Sequence, residues 1–481
     1  MGKSFDKSYA EALLKRIESL ELEVARLKSE NASFRAVIST LRAENEHLKL
    51  ELAAARKNSR NSSKPPSSDI VKPPPTGKKG KRRIGAQPGH QPHFRVPFTP
   101  EQLDDVHVFE PPSMTCACGG TLRPCPVSDL VQQQIELRDN PILRREYRAP
   151  AYRCSRCGAF HRAKLPQRVI REGFVGDRLA TALVFLNAKA HASYSALAAF
   201  MKDVCRVPIS RGLLAKTFSR VSNSLEAPYV EARESLRHEP VLNIDETGHR
   251  EKGKRFWTWV FSAAAFVVFH IDKTRSAKVL SDVLGPEYSG TIGCDYYSAY
   301  HSYLATTGGT AQFCHAHLVR DLRFLRSHPD PETRKYAARA LAAEKSLFRV
   351  HNHLRGHPDA DRRELAKAGE RLWRTIVRAP PEKKAQNIAR RFLDVSDSYL
   401  SFIANPLVEP TNNSAEQAIR HGVIDRAATQ GTRSPTGRTY RERIWTVIAT
   451  CARKSTSPFS FVLDALRART DNTTPPSLLN L

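Results

Sequence analysis

Three acidic positions in this chain have the setting that metal-assisted phosphodiester chemistry requires. The apolar stretch "VLNI" runs directly into Asp245 and Glu246, and "GTIGC" runs directly into Asp295. Glu416 lies in "TNNSAEQAIR", in the first turn of a new helix that opens near Asn412 or Asn413. Carboxylates gathered at one point repel each other, and a divalent cation holds them together. Magnesium, or manganese, takes oxygen ligands and keeps several waters. Two such ions about 4 Å apart activate an attacking oxygen and stabilise a leaving one. Asp245, Asp295 and Glu416 are therefore the candidate catalytic and metal-holding residues, with Glu246 a rival to Asp245. Each acid also has a plainer reading. Asp245 could cap a strand end, Asp295 could open the next helix, and Glu416 stands three residues after Asn413, the spacing of a capping box.

A second constellation is made of sulfur. Cys116 and Cys118 sit in "CACGG", and Cys154 and Cys157 in "CSRCG". Two short-spaced cysteine pairs separated by a few strands suit a tetrahedral structural zinc, and four thiolates leave no open position for catalysis. The first pair is one residue shorter than the usual spacing, and Cys125 or His161 could substitute for a ligand.

The elements that must position the three acids can be read from pattern. Strand-like segments at 241–245, 256–262 and 264–271 are followed by a helix, "SAKVLSDVL", a strand ending at Asp295, and a short strand at 311–315. Two hairpins followed by a crossover predict a mixed sheet in which the first strand lies beside the fourth. Asp245 and Asp295 would then face each other.

The rest of the chain divides by composition. Leu20, Leu27, Phe34, Leu41 and Leu48 recur every seven residues, with Ile17, Val24, Ile38 and Leu52 at the complementary positions and Asn31 and Asn45 in register. That seam predicts a coiled coil and a homo-multimer, with buried Asn fixing register. Residues 57–100 are rich in Ser, Pro, Lys and Arg, too polar to fold alone. The basic run there, with Lys81, Arg82 and Arg83, can lie along phosphates. Residues 171–236 read as helices, with Ser210 as an N-cap and a helix pair that fits a helix-turn-helix or any helical hairpin. The expected division is 1–56 coiled-coil multimerisation helix, 57–100 linker, 101–170 zinc-finger-like module, 171–236 helical DNA-binding region, 237–320 first part of an α/β core, 321–404 helical insertion, and 405–481 the third acidic block with C-terminal helices. The fold class is multidomain α+β.

The chain has 481 residues with 76 Lys and Arg against 49 Asp and Glu, a formal charge of +27. That surplus favours nucleic acid as partner. No run of about 18 apolar residues is present, which argues against a membrane span. The first residues are charged where a signal peptide is apolar, and nine cysteines, an odd number, argue against a disulfide framework. A cytoplasmic, nucleoid-associated bacterial protein is expected.

In order along the chain, "NSSKPPSSD", "GAQPGH", the cysteine pairs, "NIDETG", "WTWVF", "GCDYYSAY", "CHAHLVRDL" and "TNNSAEQAIR" resemble the motifs of insertion-sequence-66 transposases. The resemblance spans nearly the whole chain. It implies an RNase H-like catalytic core with an Asp-Asp-Glu triad, carried here by Asp245, Asp295 and Glu416. It also implies two magnesium or manganese ions and a zinc-finger-like region. His317, Arg320, Arg420 and Arg426 are the positions it suggests for contacting DNA or orienting the site. Where many relatives have Arg-Lys after the glutamate, this chain has Arg426-Ala427. The implied activity is binding of double-stranded DNA at the inverted ends of a mobile element, metal-dependent cleavage and strand transfer, with accessory proteins of the same element as further partners. A nuclease that cuts without joining and a non-catalytic zinc and coiled-coil DNA-binding protein, or a decayed transposase, are the alternatives.

Overall fold

A computed structural model describes residues 7–55, 96–123, 127, 129–139, 141–357 and 361–481. The heptad stretch forms one helix, α1 (Lys7–Ala55). Its seam residues Ile17, Leu20, Val24, Leu27, Phe34, Ile38, Leu41, Leu48 and Leu52 are all exposed in the single chain. Lys81, Arg82, Arg83 and Cys125 lie outside the described residues.

The cysteine-bearing segment carries little regular structure. Two three-residue strands, β1 (Ala151–Arg153) and β2 (Phe160–Arg162), pair antiparallel around the Cys154–Cys157 turn. The helices α2 (Gln167–Glu172), α3 (Asp177–Lys189), α4 (Tyr194–Asp203), α5 (Arg211–Ser224) and α6 (Glu226–Ser235) follow. Ser210 caps α5 as its sequence predicts, accepting from Leu213 N at 3.1 Å. The inner face of α5, with Leu214, Phe218 and Val221, is buried, while Arg211, Gly212 and Lys216 face outward.

The core sheet consists of β3 (Val241–Glu251), β4 (Lys254–Ser262), β5 (Val267–Asp272), β6 (Thr291–Cys294) and β7 (Thr310–Phe313). Helices α7 (Ala277–Leu284) and α8 (Ser298–Leu304) connect its second half, and α9 (His315–Leu325) follows. The order is β5-β4-β3-β6-β7, with β3 parallel to β6 and β6 parallel to β7. The first strand lies beside the fourth, as the hairpin-and-crossover pattern predicts.

One expectation is corrected. The first strand does not end at Asp245 but continues to Glu251, because residues 247–251 pair with 254–258 in a hairpin. Its two-residue turn, Lys252 and Gly253, has φ of 48° and 77°. Positive φ at both positions matches the right-handed twist of the strands, and glycine takes it without strain. The polar stretch after Asp245 hides the strand from an apolar pattern, because the residues it buries are Glu246, His249 and Glu251.

Trp259, Phe261, Phe269, Ile292 and Phe313 are buried in the sheet's core. Burying each such side chain contributes about 1.5–3 kcal/mol. The free edge of β5 is covered by α14 (Pro435–Arg453). Thr450 Oγ1, Thr446 Oγ1 and Glu442 Oε1 accept from the backbone N–H groups of Val267, Phe269 and Ile271 at 3.1, 3.0 and 2.6 Å. An edge that would otherwise offer unpaired donors is thereby closed. Between α9 and the third acidic block stand α10 (Pro331–Gly356), α11 (Arg363–Ile376) and α12 (Lys383–Ala404). Helix α13 (Asn413–Thr429) precedes α14, and α15 (Pro458–Asp471) ends the series. Among the described residues, no helix is long and apolar enough to cross a membrane.

Candidate active site

Asp245 lies within β3, yet at the carboxyl end of the parallel part of the sheet. Pairing between β3 and β6 runs only from Val241↔Thr291 to Asn243↔Gly293, whereas Asp245 still pairs across β4 with Val260. Asp295 is the first residue beyond β6. Crevices outside the carboxyl ends of parallel strands are where open α/β sheets bind ligands. Gly293 leaves room for the Asn243 side chain between the strands, since a Cβ there would overlap Asn243 Oδ1.

The rivals Asp245 and Glu246 differ in their partners. Leu242, Ile244 and Glu246 form the buried series of β3, and Asp245 belongs to the alternate one. The Glu246 side chain is 1% exposed, and Arg275 Nη2 lies 2.5 Å from its Oε1. Arg275 Nε donates to the same oxygen at 2.7 Å, and Tyr300 Oη donates to Oε2 at 2.5 Å. Arg275 itself stacks 3.7 Å over Tyr297 and 5.1 Å over Trp257. Both oxygens of Glu246 are therefore engaged. Asp245 accepts only the adjacent Glu246 N–H, at 2.9 Å, among the hydrogen bonds of the described residues.

Burial, and then repulsion from Glu246, Asp295 and Glu416, pushes the Asp245 carboxyl well above its ordinary range. These acids thus share one electrostatic neighbourhood. Asp295 is pushed up to about 6, first by burial and then by Glu246, against the pull of Arg275. Its Oδ1 accepts from Tyr297 N at 3.1 Å, leading into α8, and its Oδ2 lies 3.9 Å from Arg275 Nη2.

Glu416 reaches the site from α13. The capping-box alternative is not what forms: the N-cap is Asn412, whose side chain makes no cap hydrogen bond. Its amide instead donates to Ile244 O at 2.7 Å, and its backbone N–H donates to Cys314 Sγ at 3.2 Å. Buried Asn412 thus fixes the first turn of α13 against β3 and the start of α9. Ser414 Oγ adds a 2.7 Å bond to Ser262 Oγ, and Arg453 Nη2 donates to both hydroxyls at 2.8 Å.

Glu416 Oε1 is buried without a hydrogen-bond partner among the described residues. Arg320 Nη2 lies 3.7 Å and His317 Nδ1 3.9 Å from it. Burial, helped by Arg320, pushes His317 down to about 3, so its ring is neutral at neutral pH. The side chains that converge within 4.8 Å as a ligand set among the described residues are Cys314, His317 and Glu416. The carboxylates of Asp245, Asp295 and Glu416 do not form such a set, although their charges act on one another.

The other candidates fall in different places. Arg420 is exposed on α13. Arg426 turns inward: its Nη1 donates to Thr247 Oγ1 at 3.1 Å and to Gly248 O. It clamps α13 to β3, a geometry that matches the orienting alternative of its reading. Cys118 and Cys154 are each lowered below the ordinary thiol range, first by backbone N–H groups of Gly120 and Cys157 and then by other donors that include their paired thiols. Each pair forms its own turn, but the four sulfurs do not converge into one cluster among the described residues. His161 lies on exposed β2. Sequence reasoning missed Arg275, Tyr300 and Asn412. Only the double Asn before a helix start was a visible signal; the Glu246 partners come from separate elements.

The profile described as "Transposase IS66 family" matches residues 172–440, from the last residue of α2 into α14. A family of unknown function, DUF6444, matches residues 7–96, which include α1. No curated protein matches the chain.

Proposed function

Because the chain belongs to the IS66 transposase family, we propose that it is an Asp-Asp-Glu transposase that binds the inverted ends of its element, cuts them and joins them to target DNA. The observation that carries this reading is the setting of Asp245, raised first by burial and then by the charges of Glu246, Asp295 and Glu416, with the three candidate acids delivered by β3, the β6 end and α13. The sheet order β5-β4-β3-β6-β7 supports an RNase H-like core.

The residues fit divalent metal. Glu416 Oε1 is a buried acceptor without a donor among the described residues, and Asp245 is raised by burial and then by three neighbouring acids. Like charges so arranged are relieved by a cation. Asp245, Asp295 and Glu416 would hold magnesium or manganese, two ions at the site. When bound, such ions polarise the scissile phosphate and favour the ionised form of an attacking water or 3′ hydroxyl. The chain's own groups do the positioning. Glu246 anchors Arg275 beside Asp295, and Asn412 holds the turn that presents Glu416. Arg320 and neutral His317 orient the Glu416 carboxylate, and exposed Arg420, one helical turn further on, faces the phosphates.

The remaining parts serve the same reading. The seam of α1 pairs copies so that two element ends are held together. The basic segment with Lys81, Arg82 and Arg83 and the outward residues of α5 track DNA by charge. Cys116, Cys118, Cys154 and Cys157 would together hold one structural zinc, which requires their two turns to come together. Accessory proteins of the element complete the assembly.

The test uses purified chain, magnesium and end-labelled DNA carrying the sequence that flanks the gene. Cleaved and joined products from the native chain, absent with Glu416→Gln, support the transposase reading. Cleaved products without joining favour a nuclease. DNA binding without metal-dependent products from either chain favours a non-catalytic binding protein.

A further inference from the structure

We infer that Cys314, His317 and Glu416 form a transition-metal site, best suited to zinc, that competes with the proposed catalytic triad for Glu416. The three ligand atoms lie within 4.8 Å of one another. Cys314 closes the β7 end as the N-cap of α9, and His317 stands three residues on in the helix's first turn. Glu416 comes from α13, a separate part of the chain.

Two of the three groups carry an unexplained buried atom. His317 Nδ1 and Glu416 Oε1 are both buried without a hydrogen-bond partner among the described residues. Such orphans in a folded chain call for a partner. Cys314 is 2% exposed, and its sulfur accepts the Asn412 N–H at 3.2 Å. A donor of this kind supports a ligating sulfur from behind, as outer hydrogen bonds do in metal sites.

Ligand chemistry sets the metal. Thiolate with imidazole selects zinc over magnesium, which prefers oxygen alone. In a tetrahedral zinc site with bonds of about 2.0–2.2 Å, neighbouring nitrogen and oxygen ligands stand about 3.4 Å apart. The present 3.9 Å between His317 Nδ1 and Glu416 Oε1 needs only a small rotation. A thiolate and a carboxylate together balance the ion's two charges. Arg320, 3.7 Å from the same oxygen, is the resident competitor, and three protein ligands leave a fourth position open. The site differs from the cysteine knuckles, which offer sulfur alone. Its regulatory consequence rests on the transposase reading: zinc that holds Glu416 withdraws the third acid from magnesium, so zinc antagonises cleavage.

The experiment uses the full-length chain, stripped by chelation, reloaded with zinc, dialysed and assayed for zinc per chain. Cys314→Ser and His317→Gln are assayed beside it, with circular dichroism to establish folding. Each folded variant is expected to retain about one zinc fewer per chain, the loss of a single site. Unchanged zinc content in the folded variants overturns the site. Should Cys314→Ser fail to fold, His317→Gln and Glu416→Gln, at less buried positions, decide the matter. Cobalt in place of zinc gives a second readout: its thiolate charge-transfer absorption must weaken in Cys314→Ser while the knuckle contribution remains. In a parallel arm, zinc is titrated into magnesium-supported cleavage. Inhibition in the native chain that is weaker in Cys314→Ser supports the antagonism, and equal inhibition in both overturns it. Absence of any cleavage with magnesium alone counts against the transposase reading, while the zinc count stands or falls by itself.

Discussion

The side-chain amide of Asn412 donates to the backbone carbonyl of Ile244 at 2.7 Å. One hydrogen bond thus joins the turn that carries Glu416 to the residue before Asp245, across a sequence separation of 168. Asn412 is 2% exposed, so neither partner has water as a substitute.

Replacing Asn412 by Ala strands the Ile244 carbonyl. An unsatisfied buried acceptor costs about 1–3 kcal/mol, and Asn412→Ala should lose stability in that range by urea unfolding. Cleavage should fall further than the loss of folded protein explains, while DNA binding is retained. Unchanged cleavage in folded Asn412→Ala would show that this tether does not position Glu416.

Adjacent acids on β3 should respond oppositely. Glu246 is 1% exposed and paired with Arg275, and breaking a buried pair by removing one charge costs about 3–5 kcal/mol. Glu246→Gln is expected at the low end, because the Arg275 side chain keeps 30% exposure. Asp245 is crowded by like charges, so Asp245→Asn should hold or raise stability while abolishing cleavage. Denaturation and cleavage measured on both variants check the contrast. A destabilised Asp245→Asn beside a neutral Glu246→Gln would reverse the assignment.

Asp295 sets a pH signature. Its folded value of about 6 exceeds the ordinary 3.8, so the folded chain keeps the proton longer than the unfolded one. The stability contribution of this group is therefore greatest in acid and declines as pH rises from about 4 to about 6. In metal-free protein, the melting temperature of Asp295→Asn relative to native should climb through that window and then level. Magnesium added above the window should narrow the gap. A difference independent of pH would contradict the shifted carboxyl.

The exposed seam of α1 predicts self-association. Leu27 and Leu41 are 50% and 58% exposed in the single chain, and charge at core heptad positions opposes pairing. The double variant Leu27→Lys, Leu41→Lys should sediment as a smaller species than native, with the sheet domain's melting unchanged. Equal sedimentation would remove α1 as the multimerisation element.

Local pattern by itself determined much of this protein. The seven-residue repeat specified α1, because helix period and heptad spacing are local properties. Alternation and turn residues specified the strand series, and the hairpin-then-crossover rule specified the β3–β6 neighbourhood that brings Asp245 and Asp295 to one end of the sheet. Ordered motifs specified the family, because they need only spacing along the chain. Only the tertiary structure decided which of Asp245 and Glu246 is engaged by partners, since Arg275 and Tyr300 arrive from separate elements. It also decided that Asn412 bonds to β3 instead of capping its own helix, and that Arg426 faces the sheet. It drew Cys314, His317 and Glu416 together across roughly a hundred residues of chain. The physical reason is common to these cases: a side chain's partner is set by which surfaces pack, and packing between distant segments leaves no period or spacing in the sequence to read.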